Sequence, residues 1–236
     1  MRRYLRVVGC LIVLCAGCAP EGPSAFVDGI IAPDKDCLYQ SSAQTLIAIG
    51  SYDIARGGSS AVDPSGLGPC ESPYVIGMRV NSQLRANFDM ELGRAEPNVL
   101  QVTQAEVTLM SQREEIIGFG DSAMPLPNPF LVNTNLSIPP TDTDEPSLGS
   151  AIVEVIPVSY AGWLGDWVGE QILVEVKLYG RTLGDVEVEF SPYRYPVFIC
   201  NGCMTTCGER PVDTSEDECT ELTGSDGRVC FDTTCT

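Results

Sequence analysis

Tyr74-Val75-Ile76-Gly77-Met78-Arg79-Val80 places Tyr74, Ile76, Met78 and Val80 at every second position. Successive side chains of a strand point to opposite faces, so this spacing predicts a strand with one apolar face. The habit recurs over residues 46–54, 129–138, 151–158, 171–179 and 186–190. In 100–110 the apolar positions are Leu100 and Val102, then Ala105, Val107 and Leu109. That change of parity predicts a bulge or two successive strands. Residues 180–185, Gly-Arg-Thr-Leu-Gly-Asp, separate two of the runs as the loop of a hairpin. Seven or more short strands parted by Gly, Pro, Asn and Asp, with scarcely any helical period, predict an all-β fold, an antiparallel β-sandwich.

The first 18 residues, MRRYLRVVGCLIVLCAGC, set the expected compartment. Arg2, Arg3 and Arg6 precede a short apolar run over 7–16, the layout of an export signal and too short to span a bilayer as a helix. Leu14-Cys15-Ala16-Gly17-Cys18 then puts two small residues directly before a cysteine. This resembles the lipobox of bacterial lipoproteins, although Cys15 stands where that family usually carries an aliphatic residue. The resemblance implies removal of 1–17 and lipidation of Cys18, with acyl chains (palmitate among them) holding it at about 0.8 kcal/mol per buried CH2. The alternative is a plain secretory signal cut after Gly17 or Ala19. In enterobacterial lipoproteins an Asp after the lipidated cysteine retains the protein at the inner membrane. Ala19 occupies that position here, so the resemblance implies a bacterial cell envelope location at the outer membrane. Residues 19–36 carry Pro20, Gly22, Pro23, Gly29 and Pro33 with little periodic pattern, so 18–36 reads as a lipidated tether. The β-sandwich is expected over 37–199. It resembles immunoglobulin-like or fibronectin-like modules in architecture alone, because no Cys-Trp-Cys core signature is present.

The chain has 14 basic and 32 acidic residues and no histidine. Residues 1–17 hold three arginines and no acid, so the processed chain keeps 11 basic against 32 acidic residues, a formal charge of −21. Such a surface repels nucleic-acid phosphates and does not grip an anionic membrane through a basic face. Its plain use is to keep a tethered exoprotein soluble.

Three of the eleven cysteines, Cys10, Cys15 and Cys18, belong to the signal and the lipid site. Eight are left: Cys37, Cys70, Cys200, Cys203, Cys207, Cys219, Cys230 and Cys235. An even number in an exported chain reads as disulfides, since the exterior oxidises thiols and a segment as short as 200–236 cannot bury a core of its own. The simplest partition joins Cys37 to Cys70 and places three bridges within a disulfide-stapled cap over 200–236. The pairing of the tail stays open. Cys200-x2-Cys203 with two later cysteines also has zinc-ligand spacing, but it would leave two cysteines over. A redox pair would need Cys200 at a helix N-terminus, whereas it follows the strand-like 195–199 and precedes the turn Asn201-Gly202.

The missing histidine removes Ser-His-Asp and Cys-His catalysis and HExxH zinc chemistry. No phosphate-binding glycine motif occurs. Glu187 and Glu189 alternate with Val186, Val188 and Phe190, which makes them the solvent face of a strand rather than a glycosidase pair. No catalytic residue and no required cofactor is therefore expected, and the chain reads as not an enzyme. Asn135-Leu136-Ser137 matches the glycosylation tripeptide, without weight in a bacterial lipoprotein. Asp142, Asp144 and Glu145 in a proline-rich loop are candidate calcium ligands, although an acidic run is more commonly just solvated. Trp163 and Trp167, the chain's two tryptophans, are the candidate binding surface, or else cap one end of the sandwich. The expectation is a structural or adhesive lipoprotein contacting an envelope or extracellular protein; the second is a carbohydrate- or calcium-binding module.

Overall fold

The structure is a computed structural model, and it describes residues 24–33, 38–43, 45–54, 73–86, 97–120, 125–201 and 203. Cys18, Cys37, Cys70, Cys207, Cys219, Cys230 and Cys235 lie outside these residues, as does nearly all of the expected cap. The described chain is a β-sandwich. Its strands are β1 (Ala25–Ile31), β2 (Leu46–Ile47), β3 (Gly50–Asp53), β4 (Tyr74–Ser82), β5 (Leu100–Met110) and β6 (Phe119–Gly120). They continue as β7 (Pro125–Leu126), β8 (Phe130–Ile138), β9 (Ser147–Ile156), β10 (Gln171–Thr182), β11 (Glu187–Glu189) and β12 (Tyr193–Cys200). One sheet runs β2-β1-β4-β9 and the other β3-β12-β10-β5-β8, with β11 added on β10 and a small β6-β7 ribbon apart from both. Every pairing among the described strands is antiparallel except β12 with β3, which is parallel.

Period-two patterning builds the core. Tyr74, Ile76, Met78 and Val80 of β4 and Ala151, Val153 and Val155 of β9 face inward and are buried. Against them stand Ile172, Val174, Val176 and Leu178 of β10, with Tyr195, Val197 and Ile199 of β12. Each buried Val, Leu or Ile contributes about 1.5–3 kcal/mol of transfer free energy. The parity change in β5 is a bulge within one strand: the register against β8 slips between Val102 and Gln104. Thr103 and Gln104 are both exposed, and the slip returns Ala105, Val107 and Leu109 to the core. The 171–190 hairpin forms as β10 and β11, with Glu187 and Glu189 exposed around buried Val188.

The tether expected over 18–36 is interrupted by β1, which pairs with β2 on one side and β4 on the other. Its residues Ala25, Ile30 and Ile31 are buried. Gly29 and the proline-rich surroundings hid this strand, because β1 itself bulges between Val27 and Gly29 and loses clean alternation there. Likewise Cys200 is the last residue of β12 rather than the first of a separate cap.

The outer face of the first sheet is also occupied. The bulge in β1 presents Asp28 to Arg79 of β4, whose Nε donates to both carboxylate oxygens at 2.9 and 3.0 Å. Arg79 Nη1 donates to the Ala43 carbonyl at 2.8 Å, tying residues 38–43 to the same face. Ser150 Oγ donates to the Tyr39 carbonyl at 2.7 Å, and the Tyr39 hydroxyl donates to the Val75 carbonyl. Gly77 makes room for this segment, since a Cβ there would stand 2.2 Å from the Tyr39 ring.

Gly77→Ala is therefore expected to cost about 1–3 kcal/mol, read by denaturant unfolding, because the ring must leave the sheet. The same substitution in a Tyr39→Ala background should cost markedly less; equal costs would locate the penalty elsewhere. Asp28 supplies a pH test. Burial opposes its ionisation, but the hydrogen bonds from Arg79 and its positive charge outweigh that and hold its pKa below the ordinary value. A depressed carboxylate stabilises the fold above its unfolded pKa of about 4, and that stability is lost as pH falls through the folded value. Thermal midpoints measured on either side of that window should fall less in Asp28→Asn than in the wild-type chain.

Candidate functional site

After β9 the chain does not turn directly into β10 but forms a helical turn, Val158–Ala161, and a 3-10 turn, Gly162–Trp167. Pro157 stands at the N-cap position, where its missing N–H costs nothing. Leu164 is fully buried and Trp167 packs against the core, so these two side chains seat the turn on the end of the sandwich. Trp163 lies on the same turn and is 47% exposed, and Val168 just beyond it is 42% exposed. Of the two tryptophans, Trp167 thus packs as a cap residue while Trp163 faces solvent.

The mount beneath the turn is stiff. The Tyr160 hydroxyl donates to the Pro127 carbonyl, and its ring meets Phe119 edge-on and Phe130 at a tilt, each at 5.0 Å between centroids. Burial pushes the Tyr160 hydroxyl's pKa up, so it remains a donor. Next to Pro127, Asn128 acts like a piece of strand. Its Nδ2 donates to the carbonyls of Leu109 and Ile117 at 2.7 and 2.8 Å, and its Oδ1 accepts from Leu109 N–H at 2.9 Å. On the other side Gly169 N–H donates to the Ile199 carbonyl and Ile199 N–H to the Glu170 carbonyl, both at 2.9 Å. Gly169 has φ +88°, a backbone conformation that side chains with a Cβ rarely adopt.

These last bonds place the tryptophan turn at the same end of the sandwich as Cys200. There the parallel register sets Cys200 directly opposite Asp53 of β3. Cys200 and Cys203 are joined as a disulfide, with Cα atoms 5.8 Å apart. Cys200 Sγ lies 3.6 Å from the Tyr52 carbonyl oxygen. Asp53 is 3% exposed, Cys200 is buried and Cys203 is exposed. A carboxylate oxygen of Asp53 and the two sulfurs all lie within 4.8 Å of one another, the one such grouping of three acidic or cysteine side chains among the described residues. Burial, then the negative charges of Asp53 and Glu154, push the Tyr52 phenol's pKa well up.

The loop proposed for calcium is arranged differently. Asp142, Asp144 and Glu145 are exposed, and Asp144 is paired with Arg85 at 2.9 Å. Thr141 Oγ1 donates to the Glu145 carbonyl at 2.8 Å and accepts from Thr143 N–H, so the loop is closed on itself. Its carboxylates do not gather into a common site. The clefts on the described surface include two of different size. One is a slit of about 10 Å³ between Ile30, Tyr74 and Tyr195, and the other a hollow of about 280 Å³ beside Lys177, Glu189 and Phe190.

Asp53 carried no signal in the sequence, because it stands 147 positions from Cys200 and inside an apolar run. Strand pairing alone brings them together. Comparison with known protein families and with curated proteins finds no match for this chain.

The two tryptophans should separate on substitution. Trp163→Ala is expected to change unfolding free energy by less than about 0.5 kcal/mol, as for an exposed side chain. Trp167→Ala should cost about 1–3 kcal/mol through lost burial. Chemical denaturation of the two variants checks both, and equal losses would mean that Trp163 also supports the fold.

Proposed function

We propose that this chain is a non-catalytic lipoprotein of a bacterial cell envelope whose β-sandwich serves as a structural or adhesive protein-interaction module. The observation that carries the module reading is Trp163, a large aromatic side chain exposed beside Val168 on a turn held rigidly from below. Tryptophan is enriched among residues that dominate protein contacts, and a rigid mount reduces the ordering cost of binding. The absence of histidine and the small clefts support contact through a surface rather than chemistry in a pocket.

Anchoring rests on the lipobox-like Leu14-Cys15-Ala16-Gly17-Cys18 and on Ala19 after it. Under this reading the lipid on Cys18 holds the module at the outer membrane, and its partner is another envelope or extracellular protein. Lipidation supplies location, and the sandwich supplies a surface that stays folded outside the cell.

Intact mass spectrometry and membrane fractionation of the natively produced protein test the reading. The expected mass begins at Cys18 with a diacyl or triacyl increment, and Cys18→Ser should move the protein to the soluble fraction. Trp163→Ala should stay in the membrane fraction yet lose its crosslinked partner band. An unmodified soluble chain would refute the anchor. An unchanged crosslinking pattern in Trp163→Ala would refute the module surface.

A further inference from the structure

The grouping of Asp53, Cys200 and Cys203 has a chemistry that neither the staple nor the tryptophan turn uses. Asp53 and Cys200 occupy register positions on neighbouring parallel strands, so their side chains share one face and are held there by the sheet. Cys203 follows after a three-residue step, the short spacing at which two thiolates reach one ion. Two sulfurs and a carboxylate oxygen form a donor set suited to a thiophilic divalent cation. Two of the three donors are buried and one is exposed, giving a preformed site with an entry path.

We propose that opening the Cys200–Cys203 disulfide converts this end of the sandwich into a binding site for a thiophilic divalent metal ion, with Asp53, Cys200 and Cys203 as the protein ligands. A dithiol reductant delivers two electrons and two protons to the sulfur–sulfur bond and is itself oxidised to a disulfide. The metal then takes the place of the two thiol protons, which pass to solvent. The fourth position of a tetrahedral centre is filled from solvent on the Cys203 side.

Electrostatics favour this outcome over thiol–disulfide catalysis. A catalytic pair is activated by a helix N-terminus or a nearby cation that stabilises the thiolate. Here the neighbour is a carboxylate, Cys200 ends a strand, and the whole chain carries a formal charge of −18. Negative surroundings disfavour a bare thiolate and favour one that is neutralised by a dication. The oxidised chain holds the two sulfurs in a covalent bond and offers the metal no thiolate. Metal uptake is thereby gated by the redox state of one bond, and it is independent of whether the chain is lipidated.

The test uses the full chain reduced with a non-chelating phosphine and titrated with cadmium, followed by thiolate-to-metal absorption and cadmium NMR. Among the ions bound by the reduced chain, one should give a mixed sulfur–oxygen resonance, and the oxidised chain should show no such signal. Asp53→Asn, which keeps the side chain's shape, should weaken binding at least about tenfold, as expected for loss of a ligand. Cys203→Ser, at an exposed position, should remove the mixed resonance, and it decides the matter should Asp53→Asn fail to fold. An unchanged mixed resonance in Cys203→Ser, or only all-sulfur resonances in the reduced wild-type chain, would place the metal on other thiols of the chain and overturn the proposal.

Discussion

The alternation of side chains across β10 is the constraint on which the rest of the structure depends. This strand lies between β5 and β12, and every second residue from Ile172 to Leu178 is buried against the opposite sheet. A slip of one residue would turn that whole set to solvent, a loss of several side chains at about 1.5–3 kcal/mol each. Register is therefore strongly specified here, and the bulge at Thr103 keeps β5 in phase with it. The chain crosses from one sheet to the other at both edges: β2 leads into β3, and β8 leads into β9, where Thr134 Oγ1 donates to the Ile152 carbonyl at 2.8 Å. The β2/β3 side has short edge strands of two and four residues, whereas the β8/β9 side has long ones of nine and ten.

Polar interactions act outside this core and set what lies over it. Arg79 joins the bulge of β1 to the 38–43 segment, and Gly77 leaves space for Tyr39 above the sheet. The opposite tactic operates at the tryptophan end, where apolar side chains seat the turn and hydrogen bonds from Tyr160, Asn128 and Gly169 brace it. The result is an aromatic side chain exposed on a rigid support, beside a disulfide whose neighbour is a buried carboxylate. Both features lie at the end of the molecule where β12 leaves the sheet.

Most of the architecture was legible because burial in a two-layer sandwich repeats with the period of the strand. The faces of β4, β10 and β11 follow directly from that alternation, and the parity change in β5 marked its bulge. The first strand was not legible, since a bulge and glycine break its pattern and prolines surround it. Trp163 and Trp167 stand four positions apart and were singled out together, yet they play different parts. Which of them faces solvent depends on how Leu164 and Trp167 dock on the sandwich, a matter of packing that spacing does not encode.

The sequence by itself determined the class of fold, through period-two apolar spacing and frequent turn residues. It also excluded histidine-based chemistry, because a residue type that is absent cannot be supplied by folding. Tertiary structure decided the rest: that β1 joins the sheet, that residues 38–43 cover its outer face, and that Asp53 meets Cys200 across 147 positions. The physical reason is the same in each case. Alternation along a strand is a local property and can be read locally, whereas pairing between strands is fixed by the packing of the whole chain and leaves no mark on either partner alone.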